Sequence, residues 1–360
     1  MAAWHELATV AVPHPAETSY SMPAVRPDDT DLASEVSPAV QGRRRNWLGW
    51  ALALITLLNC AFVIDLRQLG RALLALTPAE IAGLVLLAIA DRLLMGYKWG
   101  RLLRIVGVRT PMVQLIKIFY QANFSGAFLP SHVGGDLLRA WWAVQATGLR
   151  YPVFASLVVE RLLGLITAVN WALLGGTVHA AKFLPGPTWR WPAAGLAAAL
   201  AANAGFALLL NERLHHAVLA RLGRYRRTQP RRLLHRLFAA CATFAGARRP
   251  LAFKLALTLV EQALQMTLVL AIALSLGVPV EPVAFAAAST LYLLAGRVPI
   301  SPDGWGAGEL AAIAAFGLAG VGATQAFTIS LIAHLVPLLA LAPDLLFLLR
   351  HRPQPPPVTT

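Results

Sequence analysis

The sequence predicts an all-α polytopic membrane protein, with about six full spans and two hairpins broken by proline and glycine. Three observations predict it. Of the 360 residues 57% are apolar and 13% charged, and the mean hydropathy is +0.61, whereas soluble domains carry about 25% charged residues. Several apolar windows reach the roughly 20 residues needed to cross a hydrocarbon core of about 30 Å. The basic residues gather between those windows, as they do in cytoplasmic loops.

Residues 1–46 hold five prolines and six acidic residues with no hydrophobic periodicity, which reads as a disordered cytoplasmic tail. Trp47–Ile64 reads as a retained anchor, its start held inside by Arg43, Arg44 and Arg45. The remaining span windows are Ile81–Tyr97, Ala155–Gly176, Trp191–Leu210, Leu251–Val278 and Gln325–Leu349. Two further windows, around Met112–Leu129 and Val283–Ile300, end in Pro/Gly-rich breaks. Lys98, Arg101, Arg104 and Arg109 fall inside, and the charge pattern then requires each broken region to cross an even number of times. Each is therefore expected to be a hairpin, either re-entrant or of two full spans, and the pair to resemble an inverted repeat. The transmembrane domain runs over 47–349, with a cytoplasmic tail at 350–360.

Between Arg213 and Lys254 lie ten arginines and a lysine without an acidic residue. Between spans such a block is first a topology signal and then an attraction to anionic headgroups. It gives no case for nucleic acid as a partner. Leu214, Val218 and Leu222, and then Leu234, Phe238 and Cys241, recur at helical spacing on either side of Pro230. Residues 213–250 therefore read as basic interfacial helices. Cys60 and Cys241 suggest no disulfide, and no Cys/His spacing suggests a metal; no cofactor is expected.

The breaks carry the chemistry. "GAFLPSHVGGDLLRAWW" (126–142) and "GRVPISPDGWGAGELAA" (296–312) each follow an apolar helix, break at proline, pass through glycines and reach an acid that opens a new helix. Irregular backbone at membrane depth must be buried in protein or line a wet cavity. Glycine permits close approach to a ligand, and a helix start offers free amides to an anion. The plain alternative is that Asp136 and Glu309 cap their helices. Glu160, Arg161, Glu261 and Arg297 are further charges inside or at the end of apolar runs, where charges face a bundle interior or a polar cavity. Ion pairing would also explain them, for instance Asp136 with Arg139 at i, i+3, or Arg161 with a distant acid. Asp91 with Arg92 reads as structural or interfacial.

The ordered runs "FLPSHVGGDLLRAW", "VVERLLGL" and "RVPISPDGWGAGE", with "YKWGRLL" upstream, resemble the transmembrane flippase domain of lysylphosphatidylglycerol synthase/flippase proteins. The matching positions are Pro130, Gly134, Gly135, Asp136 and Arg139, then Glu160, Arg161 and Gly164, then Pro299, Pro302, Gly304, Gly306 and Glu309. The resemblance spans Trp47 to Leu349 and implies movement of a lipid or lipid-linked headgroup between leaflets. It implies no synthase activity here, because this sequence has no room for the soluble aminoacyl-transferase domain.

The expected substrate-binding set is Pro130, Gly134, Gly135, Asp136, Arg139, Glu160, Arg161, Arg297, Pro302, Gly304, Gly306 and Glu309, with no catalytic residue. Glycines and helix starts would meet a phosphate, and the arginines would supply planar forks of donors. The expected substrate is a membrane lipid with an anionic or polyprenyl-linked headgroup, and the expected compartment a bacterial inner membrane. The competing readings are an integral-membrane enzyme acting on a headgroup, and an accessory partner of a glycosyltransferase or lipid-modifying enzyme.

Overall fold

A computed structural model of the chain describes residues 64–127, 132–181, 187–209, 240–244, 246–296 and 305–350. The 1–46 tail, nearly all of the Trp47–Ile64 anchor and the 213–239 part of the basic block lie outside them, as do Pro130, Arg297, Pro302 and Gly304. The described secondary structure is helical throughout. Its helices are α1 (Leu66–Ala75), α2 (Pro78–Ile105), α3 (Met112–Ala127), α4 (His132–Thr147), α5 (Arg150–Ala180) and α6 (Arg190–Leu209). They continue as α7 (Arg248–Ser275), α8 (Pro282–Ala295), α9 (Ala307–Gly317) and α10 (Ala323–Arg350).

Local sequence sets several of these boundaries. The Thr77 hydroxyl accepts from the Glu80 amide, the Glu80 carboxylate accepts from the Thr77 amide, and Pro78 fills the first helical position of α2. Glu281 caps α8 in the same region of the helix, again followed by a proline. Gly107, at φ 84, and Gly277, at φ 66, end the turns after α2 and α7 in a conformation that side chains disfavour.

Among the described residues α5, α6, α7 and α10 are long and apolar enough to cross a membrane, and α1 with α2 qualifies as a pair bent by 87°. The chain is thus an all-α polytopic membrane protein. The helices of the two hairpins are shorter. At 1.5 Å per residue α3 and α4 reach about 24 Å, α8 about 21 Å and α9 about 16 Å, each less than the bilayer core of about 30 Å. These lengths favour the re-entrant alternative.

Packing reveals an internal two-fold relation. The pairs α2–α3, α3–α4, α4–α5, α2–α5, α2–α10 and α3–α10 recur as α7–α8, α8–α9, α9–α10, α7–α10, α7–α5 and α8–α5, while α2 packs on α7. Exchanging α2–α5 with α7–α10 therefore preserves the contacts. The internal likeness anticipated from two short breaks extends over eight helices.

Each half has its own apolar interior. Trp99, Phe119, Leu115 and Leu163 belong to one cluster, and Phe285, Phe316, Ile272 and Ile329 to the other. In the second, Phe285 and Phe316 stack with centroids 4.9 Å apart. Helix α6 is joined to α5 by Asn170 and Asn203, whose side-chain amides exchange hydrogen bonds of 3.2 and 3.0 Å. Such interhelical pairs satisfy polar groups that hydrocarbon could not.

Cys241 is a free cysteine, buried at 2% exposure within the first cluster. Burial pushes its thiol up to about 11, so at neutral pH the nucleophilic thiolate is scarce. In a Cys60→Ser background, maleimide should label Cys241 slowly at neutral pH and rapidly only after unfolding. Fast labelling of the folded protein would contradict this burial.

Candidate functional site

The two acids of the breaks enter the structure differently. Glu309 lies in the first turn of α9, where its Oε2 accepts from the Gly306 amide at 2.6 Å. Gly306 has φ 79, which glycine alone adopts readily. Asp136 does not open its helix as expected, because α4 begins at His132 and Asp136 falls in its second turn. Gly134 also lies within α4. Hydrogen bonding of α4 extends through both glycines, since nothing in a helix excludes glycine outright.

Asp136 is instead the centre of an ion network. Its Oδ1 accepts from Arg139 Nη2 at 3.0 Å, and its Oδ2 accepts from Arg161 Nε at 2.9 Å and from Arg161 Nη2. The same Arg139 Nη2 donates to Glu160 Oε2 at 2.7 Å. On the other side of Glu160, Lys254 Nζ lies 3.5 Å from Oε1. The Arg139 guanidinium is also held over Trp99 and Phe119, 4.9 and 5.2 Å from their ring centroids. Trp99 is fixed in turn by its Nε1 donating to Ser156 Oγ at 3.3 Å.

Lys254 therefore belongs to α7 and to this network, not to the basic block that precedes α7; its side chain is 2% exposed. Asp91, read as structural or interfacial with Arg92, is a buried acid paired with Arg92 at 3.3 Å. It is 3% exposed at the midpoint of α2, while Glu261, 4% exposed, occupies the midpoint of α7. Lys98 contacts Glu261, and its Nζ donates to Thr258 Oγ1 at 3.3 Å. Gln265 Nε2 donates to Glu261 Oε1 at 3.2 Å. Charges at such depth are costly unless paired or facing a polar interior.

These groups surround one cavity of about 380 Å³. Its lining respects the two-fold relation. Gly126, Gly135 and Asp91 line it from the first half, and Gly296, Gly308 and Glu261 from the second. On α5 it meets Glu160, Arg161 and Gly164, and on α10, at the same spacing, Ala333, His334 and Pro337. The shape is thus duplicated while the charge is not. The first half lines the cavity with Arg92, Lys98, Arg139 and Arg161 beside its acids; the second lines it with Glu261 and with His334, whose Nδ1 is 2.8 Å from Glu309 Oε1.

Of the expected site residues, the structure brings Gly135, Asp136, Arg139, Glu160 and Arg161 to the cavity wall, with Gly306 and Glu309 just behind it through His334. Asp91, Lys98, Lys254 and His334 are the members that the sequence reading did not place in the site. Arg161 is the accessible member of the network: its side chain is 52% exposed, against 6% for Arg139 and 23% for Asp136.

Hairpins from the two halves that line one charged cavity among the spans define the class as a polytopic membrane protein. The chain belongs to the family described as the lysylphosphatidylglycerol synthase TM region, which it matches over residues 46–343. It is accordingly an integral-membrane protein with a lipid-related role. Neither the curated proteins nor the solved structures contain a match to it.

Proposed function

We propose that this protein is a flippase-like transporter that moves a lipid, or a lipid-linked headgroup, between membrane leaflets. The observation that carries the reading is the cavity itself, polar and charged at the level where α2 and α7 have their midpoints. A headgroup could occupy it while acyl chains stay in hydrocarbon, which removes the main cost of crossing. The family membership supports a lipid as cargo.

Arg161 is the group through which an anionic headgroup would bind. Half of its side chain is accessible, and its partner Asp136 keeps a second bond to Arg139. A phosphate can therefore take the Arg161 fork while Asp136 remains paired, so that no buried carboxylate is left alone. The exchange replaces one ion pair by another and needs no covalent step; the protein acts as a carrier and not as an enzyme. By the distribution of basic residues both termini face the cytoplasm, in the inner membrane of a bacterium.

The test is leaflet exchange of labelled phosphatidylglycerol, and of a polyprenyl phosphate, in proteoliposomes. Wild type should exceed empty liposomes, and Arg161→Ala should lower its rate by at least about tenfold, the loss of one charge-assisted bond or more. Arg161→Lys, which keeps charge but not the planar fork, should fall between. Wild-type rates equal to those of empty liposomes for both lipids would remove the basis of the proposal.

A further inference from the structure

The two-fold relation pairs Asp136 and Arg161 in one half with Glu309 and His334 in the other. In both pairs the acid follows the hairpin break, the partner lies on the next long helix, and the separation is 25 residues. The partners differ in kind. Arginine keeps its charge at every physiological pH, whereas histidine is the side chain whose charge ordinarily changes between about pH 5 and 8. Among the described residues no ion pair joins a third charge to Glu309 or His334. Where the first half has Arg139 and Glu160, the second has Ala312 and Ala333, at matching distances from the acid and the base.

We infer that the Glu309–His334 pair is a proton-binding site, and that a proton is the co-substrate that drives the transport proposed above. The inference rests on that transport reading. The atoms are arranged for one proton. Glu309 has both oxygens engaged, Oε2 by the Gly306 amide at 2.6 Å and Oε1 by His334 Nδ1 at 2.8 Å. With the carboxylate accepting, Nδ1 carries the hydrogen and Nε2 holds the free lone pair. A proton taken from cavity water at Nε2 converts imidazole to imidazolium; Glu309 stays ionised, and the same proton returns to water when the ring releases it. No bond other than N–H forms or breaks.

The surroundings favour this use. Trp305 stacks on the ring at 5.0 Å and 24°, a face that stabilises a cation. Gly308 lets the ring lie against its backbone, since a Cβ there would come within 2.9 Å of the imidazole Cε1. His334 also lines the cavity that Arg161 enters. Loading the proton therefore adds one positive charge to the wall of the headgroup site, and proton and anion binding must strengthen each other reciprocally.

Among the other charged or titratable groups on helices in contact with α10 are Asp91, Arg92 and Lys98 on α2, Lys117 and Tyr120 on α3, Lys254 and Glu261 on α7 and Tyr292 on α8, with Arg67 and Arg71 on α1. Asp91, Arg92, Glu261 and Tyr292 share the cavity lining. Tyr292 is held by Ser330, its hydroxyl 3.2 Å from Oγ. Among the described residues Glu309 is the group in contact with Nδ1.

The experiment has two arms on the full chain. In nanodiscs, ¹⁵N-histidine spectra of wild type and His334→Gln recorded over a pH series should differ by one imidazole that gains a proton. In proteoliposomes, labelled phosphatidylglycerol exchange should rise at least about fivefold under an imposed pH gradient. His334→Gln and His334→Arg should abolish that response, the second because its charge is fixed. Exchange that responds equally to the gradient in wild type and His334→Gln, or an imidazole that never protonates, overturns the proton site while leaving transport standing. Exchange absent in wild type with and without a gradient overturns the transport reading, and the coupling falls with it.

Discussion

Arg139→Ala should be the most destabilising single substitution at the cavity. The guanidinium is 6% exposed and bonds two carboxylates, Asp136 Oδ1 at 3.0 Å and Glu160 Oε2 at 2.7 Å. Removing one partner of a buried pair costs about 3–5 kcal/mol, because the remaining charge cannot recover its hydration. Two features pull toward the lower figure: Asp136 keeps Arg161, and Glu160 keeps Lys254 at 3.5 Å. One feature pulls the other way. The stacks on Trp99 and Phe119 are lost as well, each about 0.5–2 kcal/mol. We therefore expect a loss of about 3 kcal/mol or more, read as a large fall in the thermal unfolding midpoint of detergent-purified protein. Adding Glu160→Gln to Arg139→Ala should restore none of it, because Lys254, 3.5 Å from Glu160 and 2% exposed, would then be the buried charge left alone. A variant as stable as wild type would show that the network contributes nothing to folding.

This network explains why the sequence alone gave an incomplete site. The motif acids and arginines were legible, since charges within apolar runs are costly enough to demand a reason. Their mutual pairing was legible locally, Asp136 with Arg139 at i, i+3, and for Arg161 only as far as some distant acid. The 25-residue link from Asp136 to Arg161 depends on how α4 folds back against α5, which no local rule supplies. Lys254 was absorbed into the basic block because composition assigns by neighbourhood. Register would have recovered it: Lys254, Thr258, Glu261 and Gln265 make one polar stripe on α7 at helical spacing, and Asp91 and Lys98 share a face of α2 seven residues apart.

His334 was missed for a different reason. It stands alone in an apolar segment, where a single histidine carries little weight by itself. Its signal is relational, the distance from Glu309 repeating the distance from Asp136 to Arg161. The spans themselves were the most legible part, because length and hydropathy decide them almost without tertiary information. Each of the five described span windows lies within a helix apart from a residue or a few at an edge, and that helix extends it by up to several residues at its starts.

Gly126→Ala and Gly135→Ala should differ sharply although the two glycines face each other across the first hairpin. A Cβ on Gly126 would lie 2.5 Å from Gly135 Cα and 3.1 Å from its amide nitrogen, so backbone would have to move. A Cβ on Gly135 would meet Gly126 Cα at 3.4 Å and the Ala122 carbonyl oxygen at 3.5 Å, close to ordinary contact. Overpacking of the first kind costs about 1–3 kcal/mol. In the second case the strain is small, and replacing a helical glycine by alanine returns up to about 1 kcal/mol. Gly126→Ala should therefore lower the unfolding midpoint clearly while Gly135→Ala leaves it nearly unchanged. The first should also spread α3 from α4 and displace Asp136, so leaflet exchange should fall even in the fraction that stays folded. Equal midpoints for the two variants would mean that the hairpin is not closed by this glycine contact. The two-fold relation extends the argument to Gly308, where the added Cβ would meet a histidine ring instead of backbone. Its alanine variant should spare stability more than Gly126→Ala does, because a side chain can give way where a second helix cannot.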